Sequence, residues 1–219
     1  PNFRLQKIEV GAGFDSVVNG SFRWGGEAAA VVRSYRGEAT DSVRMPDAAG
    51  ARTDVNFNWT PLYFPARRIA VTTETRIGLG SVADEEGKLY GRAETAGQLR
   101  WSSGGNWNFQ TRLSAGVLPG DTPFDELYIL GVERDNELLF RGIRNDRDGR
   151  KGSAPVGDRY WLSSTDLTRR VAHFALADIH AGPFFDAGVV RDSGGQFGDP
   201  RTQFAAGVQL ELRLFGAFG

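Results

Sequence analysis

The chain has no cysteine, only one methionine and only two histidines among its 219 residues. Without cysteine there are no disulfides, no zinc sites with thiolate ligands and no thiol nucleophiles. The 26 basic residues nearly balance the 27 acidic ones, so no overall field attracts nucleic acid, and we predict that the chain does not bind it. The chain also lacks an apolar run near the roughly 18 residues that a membrane helix needs. These absences leave a soluble protein or a membrane β-barrel, in which only alternate residues of a strand face lipid.

Glycine is frequent (29 residues), and apolar residues recur at every second position. The alternation is clearest in four segments, at residues 69–79, 89–101, 107–117 and 203–214. Their charged residues all fall in the register opposite to the isoleucines, valines and leucines: Glu74, Arg76, Arg92, Glu94, Arg100, Arg112, Glu211 and Arg213. A period of two is that of a β-strand with one apolar and one polar face. These runs exceed the usual soluble strand of about 5–6 residues and are closer to the roughly 9–11 that cross a bilayer at a tilt.

The period predicts an all-β fold, in which about ten strands form an antiparallel transmembrane β-barrel with the polar register lining the lumen. The predicted strands are 3–13, 20–25, 27–36, 52–60, 67–80, 88–102, 106–118, 158–168, 173–190 and 202–215. Short connections at 25–26, 61–66, 103–105 and 169–172 alternate with mostly longer, more polar ones at 37–51, 81–87, 119–157 and 191–201. Short turns at one end and long loops at the other are typical of a transmembrane barrel. The segment 119–157 is too long for an ordinary hairpin, and we predict that it is functional.

Three short motifs, in this order along the chain, resemble those of a known family. The sequence "FRGI" at 140–143 resembles the V/L-R-G-F/Y signature of the outer-membrane assembly-factor superfamily, the BamA and TamA type of barrel, also called bacterial surface antigens. The sequence "FFDAG" at 184–188 is similar to the F/G-x-D-x-G element of that superfamily, and "AAGVQLELRLFGAFG" at 205–219 is similar to the strand and turn that follow it. Phe140 and Ile143 depart from the family's small aliphatic and aromatic residues, but both are apolar.

The resemblance implies a lock between the long loop and the barrel. In the family the loop folds into the barrel, and its arginine pairs with the aspartate of the second motif, which here means Arg141 and Asp186. An arginine fork can hold a carboxylate bidentately. Gly142 and Gly188 would permit close approach of the backbone at the two sides of the contact. The remaining motif neighbours are Phe140, Ile143, Phe184.

The alternation within strand 173–190 independently predicts where Asp186 points. Asp178, His180 and Asp186 fall in one register, which contains the polar residues of the strand, so Asp186 would face the lumen. The residues alone leave another interpretation open, in which Arg141 begins a solvated loop and Asp186 ends a strand.

The resemblance also implies that residues 1–219 are one outer-membrane barrel domain that is part of a larger protein. Family topology would place about four more strands before Pro1 and two after Gly219, which gives a barrel of about 16 strands. The periplasmic POTRA domains that precede such barrels are not in this chain. The alternative is a smaller barrel that closes on itself.

We predict no catalytic, cofactor or metal site. His173, His180 and Asp178 suggest a metal or a catalytic dyad, but a polar network in the lumen explains them better. The sequence "NDRDGR" at 145–150 lacks the later ligands of a calcium loop. The expected protein is therefore not an enzyme.

The expected function is that of a non-enzymatic barrel in the outer membrane of a Gram-negative bacterium, which assists insertion or assembly of other outer-membrane proteins. Its expected partners are outer-membrane lipids, client outer-membrane or secreted proteins, and periplasmic or lipoprotein accessory subunits. Two alternatives stay open. The first is a protein-secretion pore or passive channel of the same architecture, and the second is a soluble ligand-binding β-barrel whose apolar register points inward.

Overall fold

The computed structural model describes residues 3–37, 47–83, 87–104, 106–131, 138–141, 146–147, 150–151, 155–174, 176–194 and 201–214. Within these ranges the chain forms the strands β1 (Phe3–Asn19), β2 (Phe22–Gly37), β3 (Ala48–Phe64), β4 (Ile69–Ala83), β5 (Lys88–Ser103), β6 (Trp107–Val117), β7 (Tyr128–Ile129), β8 (Asp146–Arg147), β9 (Arg150–Lys151), β10 (Val156–Gly157), β11 (Arg159–His173), β12 (Ala177–Arg191) and β13 (Gln203–Leu214). Two 3-10 helices, η1 (Pro65–Arg67) and η2 (Phe124–Glu126), interrupt them. In this part of the chain no helix has the length and apolarity to cross a membrane.

The nine long strands form one sheet in the order β1-β2-β3-β4-β5-β6-β11-β12-β13. Every neighbouring pair is antiparallel, which confirms the prediction of an all-β, antiparallel fold. Within the described residues β1 pairs only with β2 and β13 only with β12, so the sheet does not close on itself.

The prediction of about ten strands was wrong at one point, because Gly25 and Gly26 do not form a turn. Both lie inside β2, and neither has a positive φ. A Cβ on Gly25 would lie 2.7 Å from the carbonyl oxygen of Phe14, and one on Gly26 would lie 2.9 Å from the Phe14 ring. These glycines therefore make room for the neighbouring strand. The hairpin turn is instead at 20–21, where Asn19 Oδ1 accepts hydrogen bonds from the backbone N–H and the hydroxyl of Ser21.

Short connections lie at one end of the sheet and mostly longer ones at the other. The short ones, at 20–21, 65–68, 104–106 and 174–176, define the turn end. The others, at 38–47, 84–87, 118–158 and 192–202, define the loop end. Two turns differ from the prediction, because β3 runs on to Phe64 and β11 to His173.

The two faces of the sheet have opposite polarity. The described residues of segment 118–158 pack against one face of the sheet, which we call the loop face. We call the opposite face the outer face. The large apolar side chains of the alternating register are exposed on the outer face, among them Ile77 (53 %), Leu113 (61 %), Val208 (80 %) and Leu210 (75 %). An antiparallel sheet in a soluble protein commonly buries its apolar face and exposes its polar one. This sheet has the reverse arrangement.

The sheet curves around the long loop. A flat sheet would separate β1 from β5 by about 19 Å. Lys7 on β1 and Arg92 on β5 nevertheless reach the same Glu126 carboxylate, at 2.8 and 2.7 Å. A single cavity is also lined by residues from β1 and from β11, six strands away. The loop face is therefore concave.

Candidate functional site

The described residues of the long loop (118–158) fill part of the concave face and pack there through a buried apolar cluster. On the sheet the cluster includes Leu162 and Val190. From the loop it includes Leu118, Tyr128, Leu130, Leu138 and Phe140. Within the loop, β7 pairs with β10. Phe140 is fully buried, so the residue that precedes Arg141 anchors this part of the loop in an apolar environment.

Arg141 follows Phe140 directly and is held by three strands. Its Nε donates to Asp186 Oδ2 (2.8 Å), its Nη2 to Asp186 Oδ1 (2.5 Å), and its backbone N–H to Asp186 Oδ2 (3.1 Å). Nη1 donates to Asp166 Oδ1 (2.5 Å) and to Gln209 Oε1 (2.8 Å), and Nη2 also donates to the hydroxyl of Ser164 (2.8 Å). The structure thus brings together Arg141 and Asp186, the two residues of the predicted lock. We call these five residues the arginine cluster.

Two other motif residues shape this cluster. The guanidinium carbon of Arg141 lies 4.0 Å from the centroid of the Phe184 ring, a cation–π distance. A Cβ on Gly188 would lie 3.0 Å from the Leu162 side chain and 3.0 Å from the Trp161 carbonyl oxygen, so glycine permits the close packing of β12 on β11. The other two motif residues, Gly142 and Ile143, lie outside the described residues.

The contacts of the arginine cluster are mainly hydrogen bonds that involve charged groups. Asp186 is 1 % exposed, and the Ser164 hydroxyl donates to its Oδ1 (2.7 Å). The hydrogen bonds from Arg141 to Asp186 raise the pKa of the Arg141 guanidinium above its already high value. Arg141 therefore stays charged at every pH at which the protein can be studied. A bidentate, charge-assisted pair in a partly buried site fixes orientation as well as adding binding energy.

A second cluster, which the sequence did not reveal, holds the loop to the other half of the sheet. Glu126, at the end of η2, accepts hydrogen bonds from Lys7 Nζ (2.8 Å) and Arg33 Nη2 (2.8 Å) through Oε1. Its Oε2 accepts from Arg92 Nη2 (2.7 Å). These cations come from β1, β2 and β5, so one loop carboxylate joins three strands.

Asp125 completes this cluster. Arg33 Nε donates to both of its oxygens at 2.9 Å, and the hydroxyl of Tyr35 donates to Oδ1 at 2.7 Å. Arg33 is only 2 % exposed. A buried guanidinium is stable only when it is paired, so Asp125 and Glu126 are required partners of Arg33. We call Asp125, Glu126, Lys7, Arg33, Tyr35 and Arg92 the carboxylate cluster.

The cations of this cluster control the ionisation of Glu126. Burial alone would raise the pKa of Glu126, but the charges and hydrogen bonds of Lys7, Arg92 and Arg33 outweigh burial and lower it below its usual 4.5. Glu126 is thus a carboxylate at neutral pH and can hold all three cations.

Both histidines make polar contacts near the turn end, where His173 is exposed and His180 is buried. His173 Nδ1 lies 2.6 Å from Asp178 Oδ1, and His180 Nδ1 lies 3.1 Å from Asn108 Nδ2. Over the described part of the chain, no group of three or more histidine and acidic residues is arranged to hold a metal ion.

A cavity of about 730 Å³ lies beside the loop on the concave face. Its wall includes Glu74 and Arg112, which form an ion pair at 2.8 Å, and it reaches Arg141 and Asp166 of the arginine cluster. Acidic and basic groups alternate along this wall, which makes the cavity polar without giving it one sign of charge.

In comparisons with known proteins, no family model matches the chain and no curated protein matches its sequence.

Proposed function

We propose that this chain forms part of a transmembrane β-barrel in the outer membrane of a Gram-negative bacterium, and that the barrel assists insertion or assembly of other outer-membrane proteins. The observation that carries the membrane location is the reversed polarity of the sheet. Its outer face exposes Ile77, Leu113 and Leu210, while its concave face contains buried ionic groups such as Arg33 and Asp186.

The transfer free energy of the apolar side chains favours lipid over water around this outer face. Burying one large aliphatic side chain is worth about 1.5–3 kcal/mol, and the exposed apolar residues run along the whole sheet. In water such a continuous patch would cause aggregation. A soluble ligand-binding barrel needs this same register inside, around a dry centre, so the exposure of Leu113 and Leu210 argues against that alternative.

Strand length also supports a membrane-spanning role. The shortest of the nine long strands, β6, has 11 residues, and the longest, β1 and β3, have 17. About 9–11 tilted residues cross the hydrocarbon core. Every long strand can therefore span a bilayer.

The proposed assembly role rests on the resemblance of the motifs and on the placement of their residues. Arg141 of "FRGI" and Asp186 of "FFDAG" form the ion pair that the resemblance implies, inside a curved sheet. The edge strands of the sheet, β1 and β13, each have one unpaired edge within the described residues. Because hydrocarbon does not tolerate unpaired edges, we propose that further strands complete a barrel of about 16 strands. A weakly paired seam in such a barrel would template incoming client strands by edge pairing.

Partners follow from this role. They are outer-membrane lipids around the outer face, client outer-membrane or secreted proteins, and periplasmic or lipoprotein accessory subunits. We propose no catalytic step, because the charged groups of both clusters are already paired with one another.

One observation favours a second candidate, a secretion pore or passive channel. The cavity of about 730 Å³ beside the long loop is polar, and a shift of the loop would enlarge it into a water-filled path. In this alternative the loop would gate conduction.

An insertion assay tests the assembly role. The complete barrel that contains this chain is refolded into phosphatidylcholine vesicles, an unfolded client outer-membrane protein is added, and the protease-resistant client is measured over time. Faster client insertion than in empty vesicles supports the proposal. Vesicles that carry an unrelated porin at equal protein density are the control, because any barrel disturbs the bilayer. Client insertion no faster than with the porin would overturn the assembly role.

Conductance across a planar bilayer separates the two candidates. A large, steady conductance without acceleration of client insertion would favour the channel. Failure of the complete barrel to enter any vesicle, together with a monomeric state in the absence of detergent, would overturn the membrane location itself.

A further inference from the structure

Three arginines at the turn end of the sheet have no acidic partner among the described residues. They are Arg67 and Arg68, in the turn between β3 and β4, and Arg169 on β11, and all three are exposed. Together with Trp101 and Trp107, which lie between them on β5 and β6, we call these residues the turn rim.

The turn rim contrasts with the concave face, where arginines are paired with acids. Arg33, Arg92 and Arg141 each have a carboxylate oxygen within 3 Å. No ion pair joins Arg67, Arg68 or Arg169 to any acidic group in the described ranges. Unlike these arginines, the rim arginines are exposed and available for an anion from outside.

Strand pairing brings the rim residues side by side. The carbonyl oxygen of Arg68 accepts a hydrogen bond from the Ser102 N–H (3.1 Å), so the turn sits against the residue that follows Trp101. Trp107 pairs with Ser103 on one side and with Arg169 on the other. The guanidinium carbon of Arg169 lies 5.5 Å from the centroid of the Trp107 ring.

Arg68 has an unusual backbone. Its φ is +52°, and it is the one non-glycine residue with positive φ in the described ranges. Glycine or asparagine would adopt this left-handed conformation with less strain. An arginine at this position is thus not explained by the geometry of the turn, and it points to a role for the side chain.

The two tryptophans place the rim at the edge of the apolar outer face. Trp101 and Trp107 are 38 % and 39 % exposed. Tryptophan is enriched where hydrocarbon meets the headgroups, and arginine binds phosphate through a bidentate fork. The loop end has the opposite charge, because its four connecting segments, 38–47, 84–87, 118–158 and 192–202, contain 17 acidic and eight basic residues. Only the turn end therefore complements an anionic headgroup.

We propose that the turn rim binds the phosphate groups of anionic glycerophospholipids in the leaflet that the turns face. This inference rests on the proposed membrane location, but not on the assembly role. Arg67, Arg68 and Arg169 would contact the phosphates, and the rings of Trp101 and Trp107 would lie at the level of the glycerol backbone.

Refolding into vesicles of two compositions tests the proposal. The complete barrel that contains this chain is equilibrated between urea and vesicles of phosphatidylcholine alone, or of phosphatidylcholine with about 30 % phosphatidylglycerol, and the inserted fraction is measured by protease protection. An arginine near an anionic surface is worth about 1 kcal/mol, which is roughly a fivefold change in the insertion equilibrium. We expect phosphatidylglycerol to favour insertion of the unchanged chain by at least roughly tenfold, and 1 M salt to remove most of the gain.

The variant Arg67→Gln/Arg68→Gly/Arg169→Gln removes the three charges and keeps the turn, because glycine suits the backbone of residue 68. It should insert into phosphatidylcholine as the unchanged chain does and lose most of the gain from phosphatidylglycerol. The matched control Lys88→Gln/Arg159→Gln/Arg191→Gln removes three cations near the loop end and should retain the gain.

Each outcome has a separate meaning. If the unchanged chain inserts equally into both vesicles, or if the rim variant retains the gain, the proposed phosphate site is wrong while the membrane location stands. If the control variant loses as much of the gain from phosphatidylglycerol as the rim variant does, the gain depends only on the total charge of the protein. This result would also overturn the proposed phosphate site. A complete barrel that enters neither vesicle contradicts the membrane location.

Discussion

The long loop is joined to the sheet by two clusters whose charges are reversed. In the carboxylate cluster the loop supplies the anions, and buried Arg33 is the central cation on the sheet. In the arginine cluster the loop supplies the cation, and buried Asp186 is the central anion on the sheet. Each half of the sheet therefore carries the charge opposite to the loop segment that covers it.

This reversal teaches how a polar interior can specify one arrangement of a loop. If the loop lay across the concave face in the opposite direction, Asp125 and Glu126 would meet Asp186, and Arg141 would meet Arg33. Like charges brought together in a site with little water cost several kcal/mol. The two clusters thus fix the direction of the loop, a task that the apolar cluster between them cannot do because apolar contacts have no sign.

Removal of Glu126, the central anion of the loop, should cause the largest loss of stability. Glu126→Ala leaves Lys7, Arg33 and Arg92 without their shared carboxylate, and breaking a buried pair costs about 3–5 kcal/mol. We expect the loop to become protease-sensitive and the urea midpoint of the protein in detergent to fall. The control is Asp121→Ala in the same loop, whose side chain is 56 % exposed and pairs with Lys88 at 3.5 Å. Equal effects of the two variants would contradict the cluster.

Removal of the loop cation should have a somewhat smaller effect, because the Arg141 side chain is 22 % exposed. Arg141→Ala should cost about 2–4 kcal/mol and release the loop to protease while strand content by circular dichroism stays unchanged. Arg159→Ala, whose side chain is 54 % exposed, is the matched control.

Charge reversal then tests the pair itself. The double variant Arg141→Asp/Asp186→Arg should recover part of the protection that either single change loses. Recovery is partial because the new aspartate would face Asp166, which lies 2.5 Å from the present guanidinium. A double variant no better than the single ones would falsify the pairing.

Acid should weaken the carboxylate cluster through Glu126. Its pKa is lowered from 4.5 in the folded state, so its stabilising contribution is complete at a pH above 4.5 and is lost as the pH falls through the lower folded value. The protease protection of the unchanged chain should therefore be constant from neutral pH to about pH 5 and then decline. Glu126→Gln should lack the part of the decline that this carboxylate causes. Parallel acid profiles for the two chains would argue against the role of Glu126.

The smallest effects should come from the neutral partners. Tyr35→Phe removes a 2.7 Å bond to Asp125, and Ser164→Ala removes a 2.7 Å bond to Asp186. Each should cost about 1 kcal/mol, the ordinary value for one hydrogen bond. Urea midpoints measured side by side would show whether the two clusters depend equally on their hydroxyls. A loss above that of Arg141→Ala would mean that the hydroxyls, and not the charges, hold the loop.

The sequence led to the central pair of the arginine cluster and to nothing of the carboxylate cluster, for a physical reason. Arg141 and Asp186 stand in short motifs that resemble a known family, so the amino-acid sequence alone is enough to propose their pairing. Asp125 and Glu126 stand in "DTPFDEL", which has the composition of an ordinary turn. Their partner Lys7 is 119 residues from Glu126, and a contact at that separation leaves no trace in a local period.

The strand pattern was predictable for a similar reason, and its error at Gly25 and Gly26 is instructive. Alternation depends on which face each residue occupies, and the antiparallel sheet confirms the all-β prediction. The pair Gly25 and Gly26 has the composition of a turn, yet it lies within β2 because Phe14 of the neighbouring strand occupies the space above it. Local sequence cannot distinguish a glycine that bends the chain from one that yields space to another strand.

The position of Glu126 in the chain has a consequence for the order of folding. Lys7 and Arg33 precede Glu126 by 119 and 93 residues, so these cations emerge long before the carboxylate that neutralises them. If the β1–β2 hairpin entered the hydrocarbon core early, the guanidinium of Arg33 would be buried there without an acidic partner. We therefore expect commitment of the first two strands to wait for residue 126, and we expect this long-range ion pair to slow folding.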